Sequence, residues 1–119
     1  MINYVFMKND NWIKEFGGAI TVCDKKGIIV AMNDKAIKTF AKDGGAKLIG
    51  KNVIDCHPTA AKMKLKRIMK GRKSNVYTIE KNGIKKLIYQ SPWHKKGKYM
   101  GFVEISLEIP FEMPNFIRR

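Results

Sequence analysis

The stretch NVYTIEKNGIKKLIYQSPWHKKGKYMGFVEISLEI, residues 75–109, decides the fold class of this 119-residue chain. Within it, Asn82-Gly83 separates two runs of β-forming residues at 75–80 and 84–94. Asn-Gly between two such runs is the strongest short-range signal for a β-hairpin, because both residues tolerate a positive φ. A Lys-Lys-Gly-Lys turn then predicts a third strand at 99–109, antiparallel to the second.

Alternation along the third strand predicts which side of the sheet is buried. On one face of this strand Phe102 is accompanied by more polar residues. The other face is apolar and consists of Val103, Ile105, Leu107 and Ile109. Because the more apolar face of a strand usually packs on the core, we expect those four residues to lie beneath the helices. Phe102 is then expected on the outer face, beside Trp93 or Ile88 of the neighbouring strand.

The N-terminal half predicts two further strands and several helices. Residues 10–16 have the pattern of a short amphipathic helix, and residues 19–23 and 28–32 are β-rich runs joined by a turn. Asn33 is a typical N-cap for the helix after them, and a helix that begins with proline is predicted at 58–69. The order of two strands, helices and three strands predicts one α+β domain.

Composition excludes several classes of protein. Hydrophobic residues make up 45% of the chain, too many for a disordered one, and no apolar run approaches the roughly 20 residues of a membrane-spanning helix. The first residues lack the charged-then-apolar layout of a signal peptide. Cys23 and Cys56 are too few for a disulfide framework, so we expect reduced thiols, a cytoplasmic location and no membrane partner.

Positive charge is the strongest bias in the composition, since 24 Lys and Arg against 10 Asp and Glu give a net charge of +14. Seven of these cations lie between Lys62 and Lys73 with no acid among them, largely along one side of the predicted helix. We interpret the stretch as a solvated helix face that binds polyanions weakly and without sequence preference. The alternative is a basic nucleic-acid-associated regulator acting through these residues, although the stretch offers no aromatic side chain for base stacking.

The order of strands and turns resembles that of a PAS domain, over about residues 16–109. The resemblance rests on the hairpin-like segments 18–24 and 27–29, on Asn33-Asp34-Lys35-Ala36, on residues 48–53, on Lys81-Asn82-Gly83 and on the closing strand from Gly101 to Ile109. That strand ends in Glu108-Ile109-Pro110 where the family has Asp-Ile-Thr, which departs from the usual exit into an output helix.

The resemblance implies a five-stranded antiparallel sheet, in the order 2-1-5-4-3, with helices on one face enclosing a ligand pocket. It implies an N-terminal flanking helix in residues 1–17, a domain at 18–109 and a short tail at 110–119. It also implies sensing or protein interaction in signal transduction, including transcription regulation, without catalytic activity. Because no output domain follows Ile109 in these 119 residues, we expect signalling through a homodimer or through a signalling protein acting in trans.

The resemblance leaves the cofactor unknown. Photoreceptor-type flavin chemistry needs a reactive cysteine after a Gly-x-Asn segment, whereas Val53 follows Gly50-Lys51-Asn52, so that chemistry is not expected. Haem is an alternative through His57, whose imidazole is a ready axial ligand. A colourless small molecule is the third possibility, and a structural zinc is not expected because the chain has too few Cys and His residues.

A ligand pocket is expected between the sheet and the predicted helix at 58–69. Its candidate lining residues are His57, Met63, Tyr77 and either Tyr89 or Gln90. Only one of Tyr89 and Gln90 is expected to face the pocket, because neighbouring residues of a regular strand point to opposite faces.

Association is expected to use the outer face of the sheet, since exposed aromatic side chains on a sheet usually need a cover. The candidate interface residues are Trp12, Ile13 and Phe16 of the N-terminal helix, with Phe102 of the sheet. No catalytic residue is expected, because Cys56 and His57 are adjacent in sequence and their side chains diverge, and because the chain has no phosphate-binding loop.

Overall fold

Five antiparallel strands form one sheet in the order β2-β1-β5-β4-β3 in the computed structural model, which describes residues 11–56 and 59–119. The strands are β1 (Ala19–Asp24), β2 (Ile29–Met32), β3 (Asn75–Lys81), β4 (Ile84–Lys95) and β5 (Lys98–Ile109). The helices are α1 (Asn11–Lys14), α2 (Asp34–Thr39) and α3 (Thr59–Gly71), with short 3-10 turns at Ala41–Asp43, Gly45–Leu48 and Val53–Cys56. The predicted α+β class, strand number and strand order are confirmed.

Asn33 joins the N-terminal strand pair to α2. Its side chain is 1% exposed and accepts a hydrogen bond from the backbone N–H of Ala36 at 3.0 Å, which confirms the predicted N-cap. The same oxygen accepts from Ile20 N–H at 2.9 Å, and the amide nitrogen donates to the carbonyls of Ile13 and Gly18. One buried side chain therefore holds α1, β1 and α2 together.

Two clusters of buried apolar side chains lie between the sheet and the helices. The first contains Ala19, Ile29, Met32, Ala36 and Leu48, at the end of the sheet covered by α2. The second contains Cys23, Met69 and Phe102, and partly buried Leu65 and Ile68 of α3 pack against it. Val53 packs against both clusters, and the candidate site borders Ile29, Met32 and Leu48 of the first one.

The predicted assignment of the two faces of β5 is wrong. Phe102 is 5% exposed and packs with Cys23 and Met69 beneath α3, so it does not lie on the outer face. Alternation from Phe102 puts Glu104 and Ser106 on the helix side as well, whereas Ile105 and Leu107 point to the outer face. Burial of the more apolar face is only a tendency, and here the polar face borders an internal cavity.

Ile88 of β4 also faces the helices, which corrects its predicted place on the outer face. It is 6% exposed and pairs with Ser106, on the same side of the sheet as Phe102. The neighbouring position, Tyr89, pairs with Ile105 and is 41% exposed on the outer face.

The N-terminal segment contacts the outer face at Leu107, on the central strand β5. A Cβ placed on Gly18 would touch both Phe16 and Leu107, so these two side chains lie against that glycine. Trp12 packs edge-to-face on Phe16 with ring centroids 6.0 Å apart and remains 65% exposed. Among the described residues, no helix has the length and apolar character needed to cross a membrane.

Candidate functional site

A cavity of about 330 Å³ lies between the helix side of the sheet and the segments that follow β2. On the side of the helices and turns it is bordered by the apolar Phe40, Leu48 and Val53 and by the polar Thr39 and Asp43, whereas Met32 borders it from the end of β2. The sheet supplies a more polar floor, with Thr21 from β1, Tyr77 from β3, and Glu104 and Ser106 from β5. An apolar cavity with a few converging polar groups is the usual form of a small-molecule site.

The floor is organised by a chain of hydrogen bonds across three strands. Asn75 Nδ2 donates to Gln90 Oε1 at 2.9 Å, and Gln90 Nε2 donates to Glu104 Oε1 at 2.8 Å. Gln90 is 8% exposed and pairs with both Asn75 and Glu104 in the sheet register, so neighbouring strands bring the three side chains together. The bonds hold the Glu104 carboxylate in a fixed position at the centre of the sheet.

A second cavity of about 40 Å³ continues the first one under α3. Thr21, Val53 and Glu104 border both cavities, and Cys23 and Met69 border the smaller one. The smaller space is large enough for a water molecule rather than for an organic ligand. The larger cavity is therefore the candidate binding site.

Burial keeps two groups near these cavities in their protonated forms. Burial raises the pKa of the Cys23 thiol to about 11, so this cysteine is a neutral thiol and a poor nucleophile near neutral pH. Burial also raises the pKa of the Tyr77 hydroxyl, and the negative charge of Glu104 adds to that rise. Tyr77 therefore offers the cavity a hydroxyl that can donate as well as accept a hydrogen bond.

The structure brings only part of the predicted pocket together. Tyr77 borders the larger cavity and Gln90 the smaller one, whereas Tyr89 lies on the opposite face of the sheet. Met63 is 58% exposed on α3 and borders neither cavity. His57 lies outside the described residues.

Glu104 borders both cavities but was not among the residues predicted to line the pocket. The sequence does carry a signal for Glu104, because a carboxylate in the middle of a β-rich strand is unusual. The wrong assignment of strand faces put this residue on the outer face of the sheet.

A basic surface covers the outside of α3. Lys64, Lys66, Arg67 and Lys70 are exposed there, as the predicted solvated face requires. The Lys64 ammonium lies 5.6 Å from the centre of the Tyr77 ring, and the Arg72 guanidinium 4.1 Å from that of Tyr99. In the part of the chain that the structure describes, no three His, Cys, Asp or Glu side chains converge as they would around a metal ion.

Neither family models nor curated proteins match this sequence. Solved structures do resemble it, among them the PAS domain of Bordetella pertussis BvgS, with a TM-score of 0.62 and 17% identity over 84% of this chain and 82% of that one. A PAS domain from Colwellia psychrerythraea gives a TM-score of 0.64 and 16% identity over 86% and 94% of the two chains. A dual PAS-heme oxygen sensor receptor from Vibrio cholerae gives 0.59 and 19% over 78% and 95%. At such low identities, the likeness concerns the fold.

Proposed function

Because the chain has a PAS-like fold, we propose that it is a non-catalytic sensory module that binds a small molecule in the larger cavity and signals through protein association. The observation that carries this proposal is the inward polar face of the sheet. β5 turns Glu104 and Ser106 toward the helices and leaves Ile105 and Leu107 outside.

This orientation is costly for a domain that needs only a packed core. It leaves Ile105 and Leu107 on the outer face, where they forgo about 25 cal/mol for each Å² of apolar surface that burial beneath the helices would remove from water. Polar groups that border a cavity gain their partners from a ligand or from water. The inward orientation of Glu104, Ser106 and Thr21 therefore favours a binding site over a structural core.

The sheet also offers a route from the ligand to the surface. Glu104 on β5 pairs with Thr21 and Gln90, and its neighbour Ile105 belongs to the outer face. A ligand that binds one packing of the central strands more tightly than another shifts the population of molecules toward that packing. The outer face then takes the conformation that belongs to it.

Freshly purified protein provides the first test of the proposal. We expect native mass spectrometry to show a bound species of low mass, and the absorption spectrum to show neither a haem Soret band nor flavin absorption. A Soret band would favour the haem alternative, which rests on His57. A chain that carries no added mass, and that binds no small molecule offered to it, would contradict the proposal.

Filling the cavity should prevent binding. Ile88→Trp replaces a buried aliphatic side chain at the cavity by a larger indole ring. Ser106→Leu places a larger side chain in the cavity from the neighbouring strand. We expect both variants to lose the low-mass species in native spectra while circular dichroism shows a folded chain. Met63→Trp, on the exposed side of α3, is the matched control and should keep it.

A homodimer through the outer face is the second part of the proposal. Val76 and Tyr89 are 50% and 41% exposed on that face, next to Ile105 and Leu87. Such a contiguous apolar surface favours contact with another chain, and twofold dimers are the commonest form of self-association. Phe16 packs beside Leu107, the partner of Leu87 in the sheet, and leaves Val76 and Tyr89 exposed.

We expect light scattering at tens of micromolar protein to give the mass of a dimer, and Tyr89→Lys to give a monomer because it puts a charge into the interface. Met63→Lys introduces the same charge at an exposed apolar position outside the outer face and should leave the dimer intact. A full-length chain that is monomeric under these conditions, or a Tyr89→Lys dimer, would contradict the proposed interface.

Polyanion binding by α3 is expected to be weak. The exposed cations of this helix offer phosphate contacts without base contacts, so fluorescence anisotropy at about 150 mM salt should show affinities no tighter than roughly 10⁻⁴–10⁻⁶ M for any sequence. Tight binding that distinguishes one DNA sequence from another would favour the nucleic-acid alternative.

A further inference from the structure

We propose that the larger cavity selects small ligands that combine an apolar body with a cationic amino group, and that Glu104 binds this group. The inference rests on the proposed function, because it names the chemical class of ligand for the same cavity. It is carried by the position of Glu104, by its hydrogen bonds and by the distribution of charge around the cavity.

Glu104 occupies the centre of the cavity floor. In the sheet register it pairs with Thr21 on one side and with Gln90 on the other, so it lies on the middle strand of the five. Its side chain borders both the larger and the smaller cavity. A ligand in the larger cavity therefore meets this carboxylate directly.

The carboxylate has acceptor capacity left for a ligand. Gln90 donates one hydrogen bond to Oε1 at 2.8 Å, whereas an ionised carboxylate can accept about four. Among the residues that the structure describes, Lys14 and Asp34 form the only ion pair, so no described cationic side chain neutralises Glu104. A neutral amide donor fixes the carboxylate but leaves its negative charge in place.

Charge around the cavity also favours a cation near Glu104. Lys86 is the one basic residue among those that line the larger cavity, and Asp43 adds a second acid to Glu104. Lys86 lies four residues along β4 from Gln90, the partner of Glu104, which is about 13 Å along a strand. The two ends of the floor therefore differ in sign, and the Glu104 end is negative although the whole chain carries +14.

Apolar walls strengthen this preference. Phe40, Leu48 and Val53 lie on the side opposite the sheet, and Met32 borders the cavity from β2, so a ligand meets hydrocarbon and aromatic contacts there. A hydrogen bond between an ammonium and a carboxylate is roughly twice as strong as a neutral one, and an apolar surrounding increases the difference. At about 330 Å³ the cavity is at the lower end of the range for ligand sites, so a single-ring body fits it best.

Three probes with the same phenyl body and different head groups test the inference. They are 2-phenylethylamine, which is a cation at neutral pH, 2-phenylethanol, which is neutral, and 3-phenylpropionate, which is an anion. We expect the amine to bind the wild-type chain at least about tenfold more tightly than the alcohol, and the anion to bind most weakly. Affinities are measured by titration followed in amide NMR spectra.

Glu104→Gln keeps the size of the side chain and removes its charge, so the amine should lose its advantage over the alcohol in this variant. Glu108→Gln is the matched control, because Glu108 is an exposed carboxylate on the same strand that borders neither cavity, and it should retain the preference. An amine preference that survives Glu104→Gln, or an anion that binds best, would overturn the inference.

The outcomes separate this inference from the proposed function. If all three probes bind equally and Ile88→Trp abolishes their binding, the cavity is a ligand site and the inferred ligand class is wrong. If no probe binds while the native mass spectrum still shows a low-mass species that Ile88→Trp loses, the inferred ligand class is wrong and the proposed function stands.

Discussion

Asn33→Ala is expected to lower the free energy of unfolding by about 3–5 kcal/mol. The Asn33 side chain makes four hydrogen bonds of 2.8–3.0 Å to backbone groups and is 1% exposed. Alanine leaves these partners without a donor or acceptor, in a place where water has little access. Urea unfolding followed by circular dichroism measures the change, which is a large fraction of the roughly 5–15 kcal/mol that a typical domain has.

Asn75→Ala is the matched control for this prediction. Its side chain donates one hydrogen bond, to Gln90, and it lies at a partly buried position on an edge strand. The same substitution there should cost about 1 kcal/mol. Equal losses for the two variants would show that the hydrogen bonds of Asn33 do not hold α1, β1 and α2 together.

Gly101→Ala is expected to cost about 3 kcal/mol or more, and to open the pairing of β1 with β5. Gly101 has a φ of 143°, and a Cβ on it would overlap the carbonyl oxygen of Cys23 and lie 2.8 Å from Asp24 Cα. Both are backbone atoms of the neighbouring strand, so no side-chain rotation relieves the clash. The indole of Trp93 donates to the same carbonyl at 3.1 Å, and therefore its fluorescence should report the change.

Gly97→Ala distinguishes the destabilisation caused by the steric clash from that caused by the positive φ. Gly97 also has a positive φ, 80°, but a Cβ there meets nothing within 4 Å. We expect a cost of about 1–2 kcal/mol, from the left-handed conformation alone. If Gly101→Ala were no more harmful than Gly97→Ala, the close approach of β1 and β5 at Gly101 would be contradicted.

The local signals of the sequence were sufficient for the strands, turns and caps, whereas the strand order came from the resemblance to PAS domains. Asn82-Gly83 predicted the β3–β4 hairpin, and both residues have a positive φ as that turn requires. Asn33 predicted the start of α2, because an N-cap needs a specific side-chain acceptor at one position. Turns and caps depend on short-range chemistry, which a single sequence displays directly.

The faces of the sheet could not be predicted in the same way. Alternation along β5 distinguished Phe102, Glu104 and Ser106 from Ile105 and Leu107, but it does not say which set meets the helices. The rule that apolar residues face the core selected the wrong set. The residues that break this rule are those of the cavity floor, as is common where function rather than stability decides a side chain.

The candidate pocket was predicted between the sheet and the helix at 58–69, whereas the larger cavity is walled by residues between Thr39 and Val53, and Leu65 and Met69 of α3 border the smaller one. Tyr77 and Gln90 do border the cavities, but alternation alone left Gln90 and Tyr89 as alternatives, and the observed sheet places Gln90 on the helix side. Met63 was chosen from the helical pattern alone, and its exposure shows that a residue on a basic helix face can be apolar without being buried.

An amide NMR titration of the full chain with 2-phenylethanol tests the central claim, that the cavity under the helices is a ligand site, most directly. We predict shifts at Thr21, Val53 and Glu104, which border both cavities, and their loss in Ile88→Trp. Shifts confined to the outer face, at Leu87, Tyr89 and Ile105, or undiminished shifts in Ile88→Trp, would contradict it.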